Sequence, residues 1–345
     1  MNANETGTAD PKPLTFSLLR LLQDGEFHSG ETLANQLGVS RASVNNALQG
    51  VEQYGLTLYS VRGRGYCLKD PPQWLDTTQI NKYLADAAEI FHIDILDNAT
   101  SSNTLLLQRS VQGAPQGSVL AVEWQSGGRG RMGRPWRSGL GNALTFSLLW
   151  RFECGLAGLS GLSLATGVAV IRALQALNIS GAQLKWPNDV LGGEGKVAGI
   201  LIEAQGDMLG PSAVVIGIGM NIKLPQKIMK QIDQPAGDLT QLSGGIVSRN
   251  VLMASLLRHL AMVLREFSLN GFAALREEWE KYHYYQNRSV QLMLPDGKFI
   301  QGIVQGVNAE GALKVEHNSP GTGQAQTHTY HAGEISLRGS DYVAV

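Results

Sequence analysis

Apolar positions along the chain change their period twice, and the changes divide it into three parts. In the first part they recur at helical spacing. Leu14, Leu18, Leu21 and Leu22 make a stripe over residues 14–22, and Leu33, Ala34 and Leu37 make a second over residues 30–37. Val44, Leu48 and Val51 make a third over residues 41–53. Ser29 and Ser40 stand where N-caps are wanted, and Gly38 stops the second helix. Gly50 falls inside the predicted third helix, where glycine costs about 1 kcal/mol relative to alanine. Strand-like runs at residues 56–61 and 66–68 flank Arg62-Gly63-Arg64-Gly65, the tip of a predicted β-hairpin.

Helix, glycine-containing turn, polar-faced helix and basic hairpin together fit a winged helix-turn-helix. The exposed face of the third helix carries Arg41, Ser43, Asn45, Asn46 and Gln49, side chains that read phosphates and base edges. Arg62 and Arg64 of the wing would lie beside them. Between residues 41 and 69, four basic residues (Arg41, Arg62, Arg64, Lys69) stand against one acidic residue, Glu52, a local surplus where a DNA phosphate would lie. The plainer alternative is a small protein-interaction domain; the wing favours DNA.

Lys69-Asp70-Pro71-Pro72 breaks the pattern as a linker. Strands and helices then mix: helix 78–90, strand 91–96, helix 104–111, strands 118–124 and 142–152, helix 158–177, strand 213–222, and helices 249–267 and 271–283. Two strand ends, at Lys185-Trp186-Pro187-Asn188-Asp189 and Gly195-Lys196-Val197-Ala198-Gly199-Ile200, meet at a glycine-rich turn, and residues 223–247 form a polar loop. From residue 289 the pattern turns to short strands (290–294, 299–307, 313–316, 326–330, 334–337) separated by turns such as Pro295-Asp296-Gly297, as in a small SH3-like barrel. The expectation is an α+β chain: disordered leader 1–13, winged helix-turn-helix 14–69, linker 70–76, mixed-sheet domain 77–285 and β-barrel 286–345.

Composition narrows the picture further. The 345 residues, 43% hydrophobic and 17% charged, describe an ordinary globular chain with core for two or three domains. With 28 basic residues against 29 acidic, any nucleic-acid site must be local. Two cysteines far apart, Cys67 and Cys154, indicate a reducing cytoplasm and neither a disulfide framework nor a zinc site. The polar start has no signal-peptide core, and no run approaches about 18 apolar residues, so no membrane span is expected. Seven histidines lie scattered without ligand spacing, so no structural metal is expected.

The candidate chemistry concentrates in residues 127–136, where four glycines and three arginines close on Trp136. Glycines bring backbone N–H groups close to a ligand, and Arg129, Arg131 and Arg134 add fixed positive charge. Such a segment suits an anion, most naturally a phosphate, and Trp136 offers a flat face to a base. Gly128, Gly130 and Gly133 spell G-x-G-x-x-G, but a dinucleotide site needs a helix at the third glycine. Pro135, Gly139 and Gly141 follow instead, so the segment is strand–loop–strand. Abutting strands likewise disfavour a mobile Gly/Arg tail. Ser101-Ser102-Asn103 at a helix start is either a cap or a set of polar contacts for a small ligand.

Taken together, these residues resemble the bacterial bifunctional biotin–protein ligases, the biotin operon repressors. The carrying motifs are Ser101-Ser102-Asn103, Glu123-Trp124-Gln125, the run Gly128 to Arg134 with Trp136, Lys185-Trp186-Pro187-Asn188-Asp189, Lys196-Val197-Ala198-Gly199-Ile200-Leu201 and Gly217-Ile218-Gly219-Met220-Asn221. The resemblance implies a central mixed sheet of the biotin/lipoate ligase, class II synthetase-like type. It implies that biotin and ATP form biotinyl-5′-AMP, and that biotin then passes to a lysine of the biotin carboxyl carrier protein. The adenylate-bound homodimer would repress at biotin operator DNA. By the same resemblance Ser101, Ser102, Asn103 and Gln125 bind biotin, and Arg129, Gly130 and Arg131 wrap biotin and the adenylate phosphate. Lys196 meets the carboxylate and α-phosphate, Lys185 supports the phosphates, and Arg134, Trp136 and Asn221 serve the nucleotide. Asn188 and Asp189 serve the nucleotide or Mg²⁺. Met132 departs from the pattern where an arginine often stands, and the loop 223–247 is expected to order over the adenylate. A biotin-sensing repressor with weak ligase activity and a lipoate–protein ligase relative are the alternatives.

Overall fold

The computed structural model describes residues 10–294, 298–318, 324–332 and 336–339. The turn expected at Pro295-Asp296-Gly297, residues 1–9 of the leader and residues 334–335 of the last expected strand lie outside the described residues. Helices α1 (Pro13–Leu21), α2 (Gly30–Leu37) and α3 (Arg41–Leu48) form on the three apolar stripes. Ser29 and Ser40 cap α2 and α3 by accepting from Thr32 N and Ser43 N, each at 3.0 Å. Helix α3 is shorter than the spacing predicts. Gly50 takes φ 78°, a left-handed conformation, so Val51–Tyr54 form a separate 3-10 turn. Gly50 is a stop signal here, and not a weak residue within a helix. The hairpin of β1 (Leu58–Val61) and β2 (Gly65–Leu68) follows, with Arg62 and Arg64 at its tip.

Helix α4 (Thr77–Leu84) gives way to a 3-10 segment over Ala85–Ile90, where one helix was expected. Next come β3 (His92–Ala99), α5 (Ser102–Val111), β4 (Ser118–Gln125), β5 (Ala143–Phe152) and α6 (Leu162–Ala176). The hairpin strands β6 (Gln183–Lys185), β7 (Asp189–Gly192), β8 (Gly195–Gly206) and β9 (Ser212–Asn221) complete a seven-stranded sheet in the order β3-β4-β5-β9-β8-β7-β6. Only β3 and β4 run parallel, joined by α5.

Strand alternation assigns the two faces of this sheet. On β5, Leu144, Phe146, Leu148, Trp150 and Phe152 face the main core under α6 and α9 (Arg249–Asn270), while Leu149 packs with Val215 of β9 against α5. The same parity sends Ser147 to the α5 face, in register with Gly217 of β9 and then Leu201 of β8. One step along, Thr145, Gly219 and Gly199 form a second row. Two polar residues and three glycines on one buried face leave a hollow instead of a packed layer.

Two further details differ from the sequence reading. Leu156–Ala176 is long and apolar enough to pass for a membrane span by composition alone, but α6 lies buried with α9 in the main core. Residues 223–247 are not a plain polar loop. They contain α7 (Gln226–Met229) and α8 (Leu239–Ser243), with Leu224, Ile228 and Ala236 in a small core of their own. Lys196 N donates to Pro235 O at 3.0 Å and Gly237 N to Lys196 O at 3.0 Å, which stitches the segment to the start of β8.

A 3-10 turn over Phe272–Leu275 and α10 (Arg276–Lys281) lead into a second sheet. Its strands are β10 (Ser289–Met293), β11 (Phe299–Val307), β12 (Leu313–Asn318), β13 (Ala325–Tyr330) and β14 (Ser336–Gly339), antiparallel in the order β13-β12-β11-β10-β14. The segment before α4 is held firmly. Leu75 N donates to Glu123 Oε1 at 2.8 Å, Arg249 Nη1 to Gln73 O at 2.7 Å, and Asn250 bonds Asp76 N and Trp74 O.

Candidate active site

The first turn of α5 opens onto the hollow of the sheet. Ser101 is its N-cap, accepting from Thr104 N at 3.5 Å, and Ser101, Ser102 and Asn103 are all buried. Gln125, at the end of β4, accepts from Ser102 N through Oε1 at 2.7 Å. Its NH₂ group is thereby left for the pocket. Ser101, Ser102, Asn103 and Gln125 line a narrow pocket with Arg129, Gly130, Trp136, Lys196 and the glycines at 199, 217 and 219. Those glycines are there for close approach: a Cβ on Gly219 would lie 2.6 Å from Trp136 Cε2, and one on Gly217 would collide with the Asn103 amide.

The Gly/Arg segment folds back on itself between the strands. Trp136 N donates to Gly128 O at 2.8 Å and Gly130 N to Arg134 O at 2.7 Å. Met132, at φ 55°, stands 87% exposed at the tip, so the position that departs from the family pattern faces solvent. Arg129 turns into the narrow pocket's polar floor, where its guanidinium donates to Thr104 Oγ1 at 2.7 Å and Glu203 Oε1 at 2.8 Å. Arg131 donates to Asn188 Oδ1 at 3.5 Å and to the carbonyl of Ala332. Burial, with Arg134 nearby, pushes the Arg131 guanidinium below its ordinary pKa, while Asp189 acts the other way. A desolvated cation of this kind gains most from an incoming anion.

Beyond Trp136 lies a wider cleft of about 860 Å³, lined by Arg134, Lys185, Asp189, Lys196, Asn221 and the segment from Gln231 to Ala236. Trp136 and Lys196 line both cavities, so they stand at the junction. Lys196 Nζ lies 2.6 Å from Asp189 Oδ1, with both side chains 16% exposed, and 5.8 Å from the centre of the Trp136 ring. Asn188 donates to Ile200 O at 2.8 Å, which holds the Trp186-Pro187 corner, a cis peptide, against β8. Asn221 donates to Lys196 O and Gly237 O at 3.3 and 3.1 Å, tying β9 to the segment that walls the cleft.

The expected site residues thus fall into one connected region, with Arg129 on the narrow pocket and Arg134 and Lys185 on the wider cleft. The expected DNA-reading residues lie together elsewhere. Arg41, Asn45, Asn46, Gln49, Arg62 and Arg64 are exposed and Ser43 is half-buried. Gln49 caps the end of α3, Asn45 accepts from Tyr66 Oη at 3.2 Å, and Arg64 lies over the Phe27 ring at 3.9 Å. Sequence reasoning missed Thr104, Ser147 and Glu203, which bond the expected residues from behind. A serine within the apolar run of β5 was the available signal. Among the described residues, no cluster of three His, Cys, Asp or Glu side chains could hold a metal ion.

Three family models match the chain: HTH domain at residues 15–67, Biotin/lipoate A/B protein ligase family at residues 96–221, and Biotin protein ligase C terminal domain at residues 286–338. The chain is 37% identical to the bifunctional ligase/repressor BirA of Escherichia coli K12, covering 94% of this chain and 98% of that protein. It is 29% identical to the Bacillus subtilis protein of the same description, over 85% and 90% of the two chains. The biotin protein ligase of Aquifex aeolicus, solved with biotin and ATP, superposes with a TM-score of 0.59 at 27% identity, covering 72% of this chain and 99% of that one. From its N-terminal helix-turn-helix through its mixed sheet to its last β-domain, the chain belongs to the bifunctional biotin–protein ligase and repressor family.

Proposed function

We propose that this protein activates biotin with ATP and transfers it to a lysine of a biotin carboxyl carrier protein. The observation that carries the reading is the junction of the two cavities at Lys196 and Trp136. A carboxylate emerging from the narrow pocket and a triphosphate lying in the cleft would meet there. An oxygen of the biotin carboxylate attacks the α-phosphate, and pyrophosphate leaves. The neutral lysine amine then attacks the acyl carbon, AMP leaves, and the nitrogen loses one proton. Two anions must approach in the first step, so cations and backbone donors matter more than a protein nucleophile. Lys196 and Arg131 supply the positive charge, with Lys185 and Arg134 along the cleft, while Trp136 offers its face to adenine. Asn221 keeps the wall of the cleft in place.

The Mg²⁺ that accompanies ATP takes most of its ligands from phosphates and water. Asp189, with Asn188 beside it, presents an oxygen in the cleft that suits such a substrate-borne ion. Residues 14–69 are the DNA-binding unit in this reading, residues 70–76 the linker, residues 77–285 the ligase domain and residues 286–345 the C-terminal domain. Arg41, Ser43, Asn45, Asn46, Gln49, Arg62 and Arg64 would contact the biotin operator when the adenylate-bound protein forms a homodimer in the cytoplasm. Incubation with ATP, biotin and a carrier domain tests the enzyme: one labelled lysine and one pyrophosphate per transfer are expected, and their absence refutes the ligase. A gel-shift assay with biotin operator DNA tests the repressor half. Binding should require both biotin and ATP; binding that ignores them would refute it.

A further inference from the structure

The floor of the narrow pocket holds a chain of hydrogen bonds that no ligand contact requires. Asn103 Nδ2 donates to Glu203 Oε2 at 2.8 Å and to Leu201 O at 3.3 Å. Neither partner can donate, so these two acceptors fix which end of the amide points where. Asn103 Oδ1 must then face Ser147 Oγ, 2.5 Å away. Ser147 is wholly buried and also lies 2.7 Å from Ser102 Oγ. A hydroxyl has one proton. Because Asn103 Oδ1 has none to give, the Ser147 proton goes to it, and the Ser102 hydroxyl supplies the proton of the second contact. Ser102 Oγ therefore turns only lone pairs toward the pocket that it lines. Gln125, with Oε1 occupied by Ser102 N, turns its NH₂.

We infer that Glu203 and Ser147 are positioning residues which set the polarity of the pocket at Ser102, making its hydroxyl an acceptor beside the donor that the Ser102 backbone N–H makes of Gln125. This rests on the ligase reading. A ureido group carries N–H donors beside a carbonyl acceptor, and the polarity so fixed matches it in one sense only. A site built on such fixed partners rejects an analogue that presents the wrong group far more strongly than one that merely loses a contact. Arg129, bonded to Glu203 Oε1, holds that carboxylate in place.

The test uses the full-length protein and three ligands in biotin-dependent pyrophosphate release: biotin and the two oxazolidinone analogues in which a ring oxygen replaces one or the other ureido N–H. Wild type should reject at least one analogue by about 100-fold or more in kcat/KM. In Ser147→Ala the Ser102 proton is released and can turn to the ring oxygen, so that ratio should narrow about tenfold or more while the KM for ATP stays within about twofold. Glu203→Gln, whose amide can still accept from Asn103 but no longer enforces the direction, should narrow it less. General damage would raise every KM and leave the ratio unchanged. An unchanged ratio in both variants, with wild type active, overturns the relay alone. Absence of any biotin-dependent pyrophosphate release by wild type overturns the ligase reading as well.

Discussion

Two ion pairs in this molecule use the same chemistry and serve opposite ends. Beneath the central sheet Arg249 Nη1 meets Glu123 Oε2 at 2.7 Å, with the two side chains 1% and 0% exposed. At the junction of the cavities Lys196 meets Asp189 at 2.6 Å, with each 16% exposed. The first pair also takes up the backbone of residues 73–75 through Gln73 O and Leu75 N, so it binds the segment after the DNA-binding unit to the sheet. The second pair borders a cleft of about 860 Å³, and in the proposed function Lys196 exchanges its partner for an anion entering from solvent. Burial separates the two: a fully desolvated pair is structure, while a pair with one open side is a site in waiting.

Breaking the buried pair should have the largest effect. Arg249→Met leaves Glu123 charged and without its counter-ion, and stability should fall by about 3–5 kcal/mol in urea denaturation. Adding Glu123→Gln should recover much of that loss, since the double variant no longer buries a lone charge. A small loss in Arg249→Met would erase the contrast. Lys196→Met tests the other side. Activity in pyrophosphate exchange should drop on the order of 10²- to 10³-fold, while stability should fall by clearly less than in Arg249→Met, because the pair borders the cleft and is less desolvated than Arg249 and Glu123. A variant that unfolds as readily as Arg249→Met would place Lys196 with the scaffold.

The same contrast explains what could be read in advance. Lys196, the Gly/Arg segment and Ser101 to Asn103 sit in short runs of unusual composition, so local sequence displays them. Arg249 and Glu203 do not. Arg249 lies 126 positions from Glu123, within a helix whose apolar periodicity alone was visible, and Glu203 meets Asn103 across 100 positions. Partnerships of that length come from topology, which one sequence does not display. Helices, caps and strands were legible because their signals are local, and the misread places follow from the same limit. Gly50 has a left-handed φ, set by the turn into Val51–Tyr54, which propensity alone scores as a weak helix residue. In residues 223–247, Leu224, Ile228 and Ala236 are too few to stand out among polar neighbours, yet they suffice to pack against one another.

Arg131 tests the middle ground, a desolvated cation with Asp189 nearby but, among the described residues, no ion pair of its own. If it holds the activated intermediate by charge, Arg131→Gly should release biotinyl-5′-AMP about 10- to 100-fold faster, as loss of one or two charge-assisted bonds implies. Bystander proteins added to the reaction should then become biotinylated on exposed lysines. Unchanged retention of the adenylate would refute the role.

The smallest effect concerns a buried group with no ion partner among the described residues. His283, 4% exposed and tilted at 35° to the Trp279 ring with centroids 4.4 Å apart, is pushed by burial down to about 4, with the Gln286 side chain opposing the shift. Its environment thus removes the charge, where at Arg249 the environment neutralises it with a partner. The unfolded imidazole takes up a proton from about pH 6.5 and the folded one only near pH 4, so the unfolded state binds more protons between these values. His283 therefore contributes its full stability above about pH 6.5 and loses it as the pH falls. Between about pH 7 and about pH 5.5 the loss should be about 1 kcal/mol, read as the difference in urea-denaturation free energy between wild type and His283→Gln. The glutamine variant, which cannot protonate, should show a correspondingly flatter pH profile even if it is less stable throughout. Parallel profiles for the two proteins would mean that the folded imidazole titrates normally, and burial at this position would then resemble the open cleft more than the closed core.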